Sequence, residues 1–574
     1  MLAGAVSGVL TATVALGVAQ FVAGITGALG SPIDAIGEVA INHTPIPVKE
    51  FAIAHFGSRD KDALVSGILS VLIIAAAIAG ALAVRRLWHG LAVLTLFGAA
   101  GVDAAVSQPG TTATDVLPTL AGMGTAAVAL VILTRSARAA FRQPSQTVTA
   151  DQPVRAHVPV APDVPVTPGP TAGSRLPEVT ATARVSAVPG PPASPERPAT
   201  MLPGGPERPG GPTGPAGPGG PGRRRFLITA GGVAAVAAAG GGAGQLLLGR
   251  FSVASSRAAV RLPAPAVAAR AVPAGAQLGI GGVSPFFTPN SQFYRVDTDL
   301  VVPQVSPDSW TLRIDGMVRS PVEITFDQLL KMPLTEADIT LVCVSNVVGG
   351  PYTGNARWLG VPLAPLLRKA GIKAGADQVL STGTDGMTIS TPLQAILDGR
   401  NALIAVGMNG QPLPVAHGFP ARMIVPGLYG YVSATKWLTR LTVTTFASQR
   451  AYWTQRGYAQ EAPIKTESRI DVPKPLAQVP KGRVAVAGVA WAPHRGISAV
   501  EVSVDNGPWR PARLAAADGI DTWRQWAWAW DATPGLHSLR VRATDGTGAT
   551  QTALEASPVP DGASGWDSVV VTVT

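Results

Sequence analysis

Apolar positions along this chain follow three unlike patterns. Near the start they run almost unbroken, over about residues 3–29, 63–84, 90–106 and 116–133. Each stretch is long enough, or nearly so, to cross a hydrocarbon core of about 30 Å as a helix. The third is the shortest and carries Asp103. A glycine-rich apolar stretch, residues 226–248, predicts a fifth helix. From about residue 280 the pattern changes to short runs. Trp310 to Ile314 alternates like a strand, with Asp315-Gly316 marking a turn, and Phe326 to Lys331 reads as a short helix. Ile339 to Val344 is another strand with Cys343 near its end. Runs at 484–491, 497–504 and 537–543, with turns at Asp505-Asn506-Gly507 and Asp545-Gly546, predict an all-β C-terminal region.

Composition explains why these parts must be read separately. Charged residues are 14% of the 574 and the mean hydropathy is +0.27, values at odds with a single soluble globule. Residues 143–222 hold 20 of the 52 prolines. Such a segment buries too little apolar surface to offset its ordering entropy and is read as a disordered linker. The net charge of +10 is partly topological. Arg85 and Arg86 follow the second apolar stretch, and Arg135, Arg138 and Arg142 follow the fourth. These clusters mark cytoplasmic ends, which puts the N-terminus inside and the 31–62 loop outside. Arg223-Arg224-Arg225-Phe226-Leu227 before the fifth stretch resembles a twin-arginine export signal, a route for folded, cofactor-loaded domains. With no clear cleavage site after it, the helix is expected to remain as an anchor, with everything after Arg250 outside. The expected organisation is 1–142 transmembrane, 143–222 linker, 223–249 signal or fifth span, 250–280 linker, 281–450 catalytic domain and 470–574 β-sandwich.

One cysteine excludes an intramolecular disulfide framework and any cysteine-only zinc or iron–sulfur site. A lone cysteine is more often an inert buried residue than a reactive one. Its surroundings point the other way. Thr288-Pro289-Asn290 and Phe293-Tyr294-Arg295 precede Leu341-Val342-Cys343-Val344-Ser345-Asn346, followed by Ala356-Arg357-Trp358. Then come Met408-Asn409-Gly410-Gln411-Pro412, His417-Gly418-Phe419-Pro420-Ala421-Arg422, Val425-Pro426-Gly427 and Lys436-Trp437-Leu438. In this order the motifs closely resemble the molybdopterin-binding domain of the sulfite oxidase family. Gly488 to Trp491, Val500 to Asp505 and Trp523-x-x-Trp526 resemble the immunoglobulin-like dimerisation domain that follows it in that family.

The resemblance implies a multi-domain chain: an N-terminal α-helical membrane bundle, an α+β molybdopterin-binding domain and a C-terminal immunoglobulin-like sandwich. It implies a molybdenum–molybdopterin cofactor with the Cys343 thiolate as metal ligand, a soft donor suited to that metal. Carried over residue by residue, Tyr294, Arg295, Asp385, His417, Arg422, Thr435 and Lys436 bind the cofactor, while Arg295 and Tyr429 join Cys343 in catalysis. One departure concerns the anion pocket: the family usually has two arginines after the Cys-x-x-Asn segment, where Val347-Val348 stand here. Arg295 remains, with Arg357 and Arg422 as further cations. The expected activity is oxygen-atom transfer on a sulfur compound by an enzyme of the cell membrane with its catalytic domain outside, most simply sulfite oxidation. The alternatives are reduction of a sulfoxide such as oxidised methionine in exported proteins, and a non-enzymatic binding protein on the same fold. The chain has no haem-attachment Cys-x-x-Cys-His. An external electron acceptor or donor is therefore expected, a cytochrome or membrane redox protein, with a homodimer through the C-terminal domain and no nucleic-acid partner.

Overall fold

The computed structural model describes residues 1–27, 32–45, 48, 51, 60–107, 113–141 and 221–574. The expected linker over 143–222 lies outside the described residues except for its last two positions, which begin a helix. The N-terminal region is helical: α1 (Leu2–Thr26), α2 (Pro32–His43), α3 (Asp60–Arg85), α4 (Leu87–Val106), α5 (Leu117–Phe141) and α6 (Pro221–Leu248). All but α2 are long and apolar enough to cross a membrane. Helix α1 is the hub, packed against α3, α5 and α6. Close approach depends on small residues: a Cβ on Gly8 would sit 1.8 Å from the Ala76 carbonyl of α3. Arg138 of α5 donates to the carbonyls of Ala83 and Val84, both at 2.7 Å, capping the C-terminal end of α3.

Within the stretch expected as the 31–62 loop, residues 32–43 form α2, which leans on the folded region downstream. A Cβ on Gly37 would lie 2.2 Å from the Leu300 side chain, and Lys61 at the start of α3 pairs with Asp297. The segment 250–280, expected as a linker, is instead laid along that region. Val253 and Ala276 are buried in its cores, Arg257 donates to the carbonyls of Pro412 and Leu413, and Val267 bridges Thr335. Apolar side chains spaced through the segment give it surface to bury.

Two sheets build the middle region. One contains β1 (Thr311–Gly316), β2 (Val322–Thr325), β5 (Gln378–Gly383), β6 (Thr388–Pro392) and β10 (Leu438–Thr444) in the order β2-β1-β10-β5-β6, with β1 and β10 parallel. The other contains β3 (Thr335–Val342), β4 (Thr353–Pro362), β7 (Leu403–Met408), β8 (Gln411–Pro412) and β9 (Arg422–Ile424). Every residue of β7 is buried. Leu403 and Ala405 feed one core with Trp358 and Phe419, while Ile404 and Val406 feed another with Val342 and Val361. A sheet covered on both faces holds the ends of its strands rigidly, and Cys343 follows β3.

The C-terminal region is β-rich. One sheet orders β11 (Glu467–Val472), β13 (Gly482–Trp491), β17 (Arg524–Ala532) and β16 (Arg513–Leu514). The other orders β12 (Gln478–Val479), β19 (Asp567–Val573), β18 (Gly535–Asp545), β14 (Ile497–Val504) and β15 (Arg510–Pro511). Between them lies a core that includes Val486, Val502, Trp526, Leu539 and Val571. The three expected strands are β13, β14 and β18.

Candidate functional site

The thiol sits in a short closed loop. The Cys343 amide donates to the Tyr352 carbonyl (3.0 Å), and the Asn346 amide donates to the Cys343 carbonyl (3.0 Å). The Asn346 side-chain oxygen then accepts from the Tyr352 amide at 2.7 Å, so one asparagine staples both ends. Gly349 takes φ +71°, and a Cβ there would lie 2.3 Å from the Asp567 carboxylate of β19. The C-terminal sheets therefore brace the back of the loop, helped by Arg469, which donates to the Gly350 carbonyl at 2.7 Å. Burial pushes the Cys343 thiol up, offset in part by hydrogen bonds from Ser345 and by the charge of Lys436.

Beside the thiol is a corner dense in positive charge. Asp297, whose side chain is only 3% exposed, pairs with Lys436 at 2.7 Å and Arg295 at 2.6 Å, and also with Lys61. Burial favours the neutral acid, but Lys436 first, then Arg295 and Lys61, hold Asp297 well below the usual carboxylate range. Lys436 lies 4.5 Å from the Trp437 ring centroid, and burial lowers it to about 8. Arg422 is buried, 5.3 Å from the Trp358 ring centroid, and donates to the His417 carbonyl at 3.1 Å, while its Nε has no partner among the described residues. Burial lowers it to about 10. Burial, then Arg422 and Lys436, lower His417 to about 4, which leaves a neutral imidazole at pH 7. Its ring meets Phe293 edge-on at 5.6 Å. Tyr294 is pushed up by burial and then by Cys343, with Arg422 acting the other way.

The structure thus brings together Cys343, Tyr294, Arg295, His417, Arg422 and Lys436, and sets Asp385 against the same corner. Asp385 accepts from the Met387 amide (3.1 Å) and shares a hydrogen bond with Asp299; burial pushes both carboxyls up. Three expected positions sit elsewhere or face away. The Tyr429 hydroxyl accepts from the Lys465 amide at 3.4 Å and packs on Gly562, contacts that join the middle and C-terminal regions, while burial and, more weakly, Cys343 push it up. The Thr435 hydroxyl bonds Ser381 within the core at 2.5 Å. Arg357 is not a site cation: it grips Asp338 with two 2.8 Å bonds, because β3–β4 register puts the two residues opposite each other. Sequence reasoning missed Asp297, Asp299 and Glu467. Arg295-Val296-Asp297 looks like an exposed pair until burial is known.

Glu467 of β11 lies beside Asn346, and burial pushes it up to about 8. Among the described residues, Glu467 Oε1 and Asn346 Nδ2 each lack a partner in hydrogen-bond geometry. The folded chain keeps a proton on Glu467 that the unfolded chain loses near 4.5, so stability falls as pH rises from about 4.5 through about 8. The slope is at most about 1.4 kcal/mol per pH unit from this group. Glu467→Gln should flatten that decline, measured as the thermal midpoint at several pH values. Parallel slopes for both proteins would refute the assignment.

Residues 299–453 match the family described as the oxidoreductase molybdopterin binding domain. Sulfite oxidase of Gallus gallus is 32% identical over 295 residues, 43% of this chain and 63% of that protein. The mitochondrial sulfite oxidase of Rattus norvegicus is 32% identical over 290 residues, covering 52% of its length. The NADH nitrate reductase of Solanum lycopersicum is 35% identical over 178 residues, 26% of this chain and 19% of that one. The solved sulfane dehydrogenase SoxCD of Paracoccus pantotrophus is 25% identical with a TM-score of 0.43, over 47% of this chain and 76% of that one. This chain spans 52–63% of the sulfite oxidases named here. The chain thus carries an oxidoreductase molybdopterin-binding domain. Over that region and the sheets that follow it, the chain is similar to sulfite oxidases.

The family implies a molybdenum–pterin cofactor, and the residues present fit one. Arg295, Arg422 and Lys436 gather around a single ionised carboxylate, and the unpartnered Arg422 Nε is a buried donor without an acceptor. Such a corner suits a phosphate, which takes several charge-assisted hydrogen bonds. The chain's one thiol stands beside it, a soft donor at a rigid strand end.

Proposed function

We propose that this chain is a membrane-anchored molybdenum enzyme that transfers an oxygen atom at sulfur, with sulfite oxidation as the leading reaction. The observation that carries the reading is the buried Cys343 thiol beside the Arg295–Arg422–Lys436 corner. When bound, the metal supplies a two-electron centre that exchanges an oxygen atom with sulfur; sulfite plus water gives sulfate, two protons and two electrons. Cys343 holds the metal, and coordination removes the proton that burial otherwise keeps on Sγ. The Ser345 hydrogen bonds keep the sulfur aimed. Arg422, Lys436 and Arg295 hold the pterin phosphate, and neutral His417 offers a hydrogen bond to the cofactor without adding charge. Asp385, whose carboxyl burial pushes up, would bind the cofactor from the same corner.

Helix α6 leads directly into the catalytic region, and α3 starts at Lys61 against Asp297, so that region lies at one end of the bundle. Arg85, Arg86, Arg138 and Arg223 to Arg225 fall at the other end, which supports an anchor with the catalytic region outside and arginines in the cytoplasm. The two C-terminal sheets support an immunoglobulin-like sandwich that joins two copies. Electrons leave to, or arrive from, an external redox partner.

One observation favours a second reading. Val347, 48% exposed, stands where the family usually has an arginine, and an apolar rim suits an uncharged sulfoxide better than a dianion. The test uses the full chain in detergent from a host with intact cofactor supply. Stoichiometric molybdenum is expected, with turnover of sulfite plus ferricyanide. Turnover only of methionine sulfoxide with reduced viologen would select the reductase, and absence of molybdenum would sink both.

A further inference from the structure

The apolar bundle and the charged corner meet through one side chain. Lys61 opens α3, at the edge of the helix that enters the bundle, yet its ammonium reaches the Asp297 carboxylate and the Asp299 carbonyl. Asp297 is thus shared by three cations, of which Arg295 and Lys436 belong to the corner assigned above to the cofactor phosphate. We propose that Lys61 is a positioning residue of the cofactor site: it serves as the counter-ion of Asp297 and so frees Arg295 and Lys436 for the phosphate. The inference rests on the cofactor reading above.

A phosphate entering the corner competes with Asp297 for the same two cations. Asp297 is almost fully buried, and a buried carboxylate stripped of every partner is strongly disfavoured. With Lys61 in place, Asp297 keeps one ion pair after Arg295 and Lys436 turn to the phosphate. Without it, Asp297 holds them back. The other acids near the corner do not take this role. Burial pushes Asp299, Asp385 and Glu38 of α2 up, the last to about 7, whereas the three cations hold Asp297 down. The fold also fixes where Lys61 stands. Gly37 of α2 abuts Leu300, and the second Lys61 bond ties down the chain just past Asp297. The membrane module is then part of the cofactor site as well as its anchor.

The experiment compares full-length wild type, Lys61→Met, Lys61→Arg, Asp297→Asn and the Lys61→Met/Asp297→Asn double variant, each purified in detergent after identical growth. Molybdenum and pterin per chain are measured at once and again during dilution, to give the rate of cofactor loss. Lys61→Met should lose cofactor about 10- to 100-fold faster, the range seen when a residue supporting a metal site is removed. Lys61→Arg should resemble wild type. In the Asp297→Asn background the Lys61→Met change should have no further effect, because no carboxylate remains to compete. Wild-type retention in Lys61→Met, or an equal Lys61→Met defect in the Asp297→Asn background, overturns the proposal; the latter would make Lys61 a structural tether only. A wild-type chain free of molybdenum and pterin would instead overturn the cofactor reading, and this proposal with it.

Discussion

Cys343→Ser is expected to reduce turnover below one-hundredth of wild type while leaving the chain folded. Removing a residue that merely supports a metal ligand costs about 10- to 100-fold, and loss of the ligand itself should exceed the upper end of that range. A serine oxygen is harder and far less acidic than a thiol, so it is a poor substitute at this metal. The fold has little reason to fail. The loop is closed by backbone bonds from Cys343 to Tyr352 and from Asn346 to Cys343, and by the Asn346 side chain, none of which uses the sulfur. The added hydroxyl is buried, at a cost of about 1–3 kcal/mol if unpaired, but Ser345 is within hydrogen-bonding reach. Turnover, molybdenum content and the thermal midpoint decide the matter together. Cys343→Ala, which buries no polar group, serves as the second variant. Wild-type turnover in either one would exclude thiolate ligation.

How much of this site could be read from residues alone depended on how local its determinants are. The strand ending at Cys343 was legible because an apolar run that stops at Ser345-Asn346 is a local signal. Five apolar helices were legible for the same reason, and each lies where its run of residues falls. Register was not. Arg357 looked available for an anion until the pairing of β3 with β4 set it opposite Asp338. Tyr429 looked like a catalytic hydroxyl in a loop, but the chain enters the 430–433 helical turn with that ring turned toward Lys465. Lys61 and Asp297 are 236 residues apart, so only folding puts them in contact. The acidic half of the corner escaped notice because burial, and not residue type, distinguishes Asp297, Asp299 and Glu467 from ordinary surface acids.

Arg422→Met should cost cofactor retention far more than it costs the stability of the empty fold. Arg422 is buried, and among the described residues no carboxylate pairs with it; burial lowers it to about 10, the mark of a cation held against its solvation. Replacing buried charges by apolar side chains of similar volume is often stabilising by about 1–4 kcal/mol. Against that stands the lost bond to the His417 carbonyl, worth about 1–3 kcal/mol if that oxygen is left unpaired. The two terms largely offset, so the cofactor-free protein should lie between about 2 kcal/mol less and about 3 kcal/mol more stable than wild type, with methionine packing on Trp358. Cofactor binding should weaken by about 2–5 kcal/mol, the usual cost of removing one partner of a buried charge pair. That corresponds to roughly 30-fold up to several thousand-fold. Thermal midpoints of cofactor-free protein and pterin content of the loaded protein test the two halves separately. If Arg422 served packing alone, both quantities would fall together. Little change in one with a collapse in the other is what a residue kept for the cofactor phosphate requires.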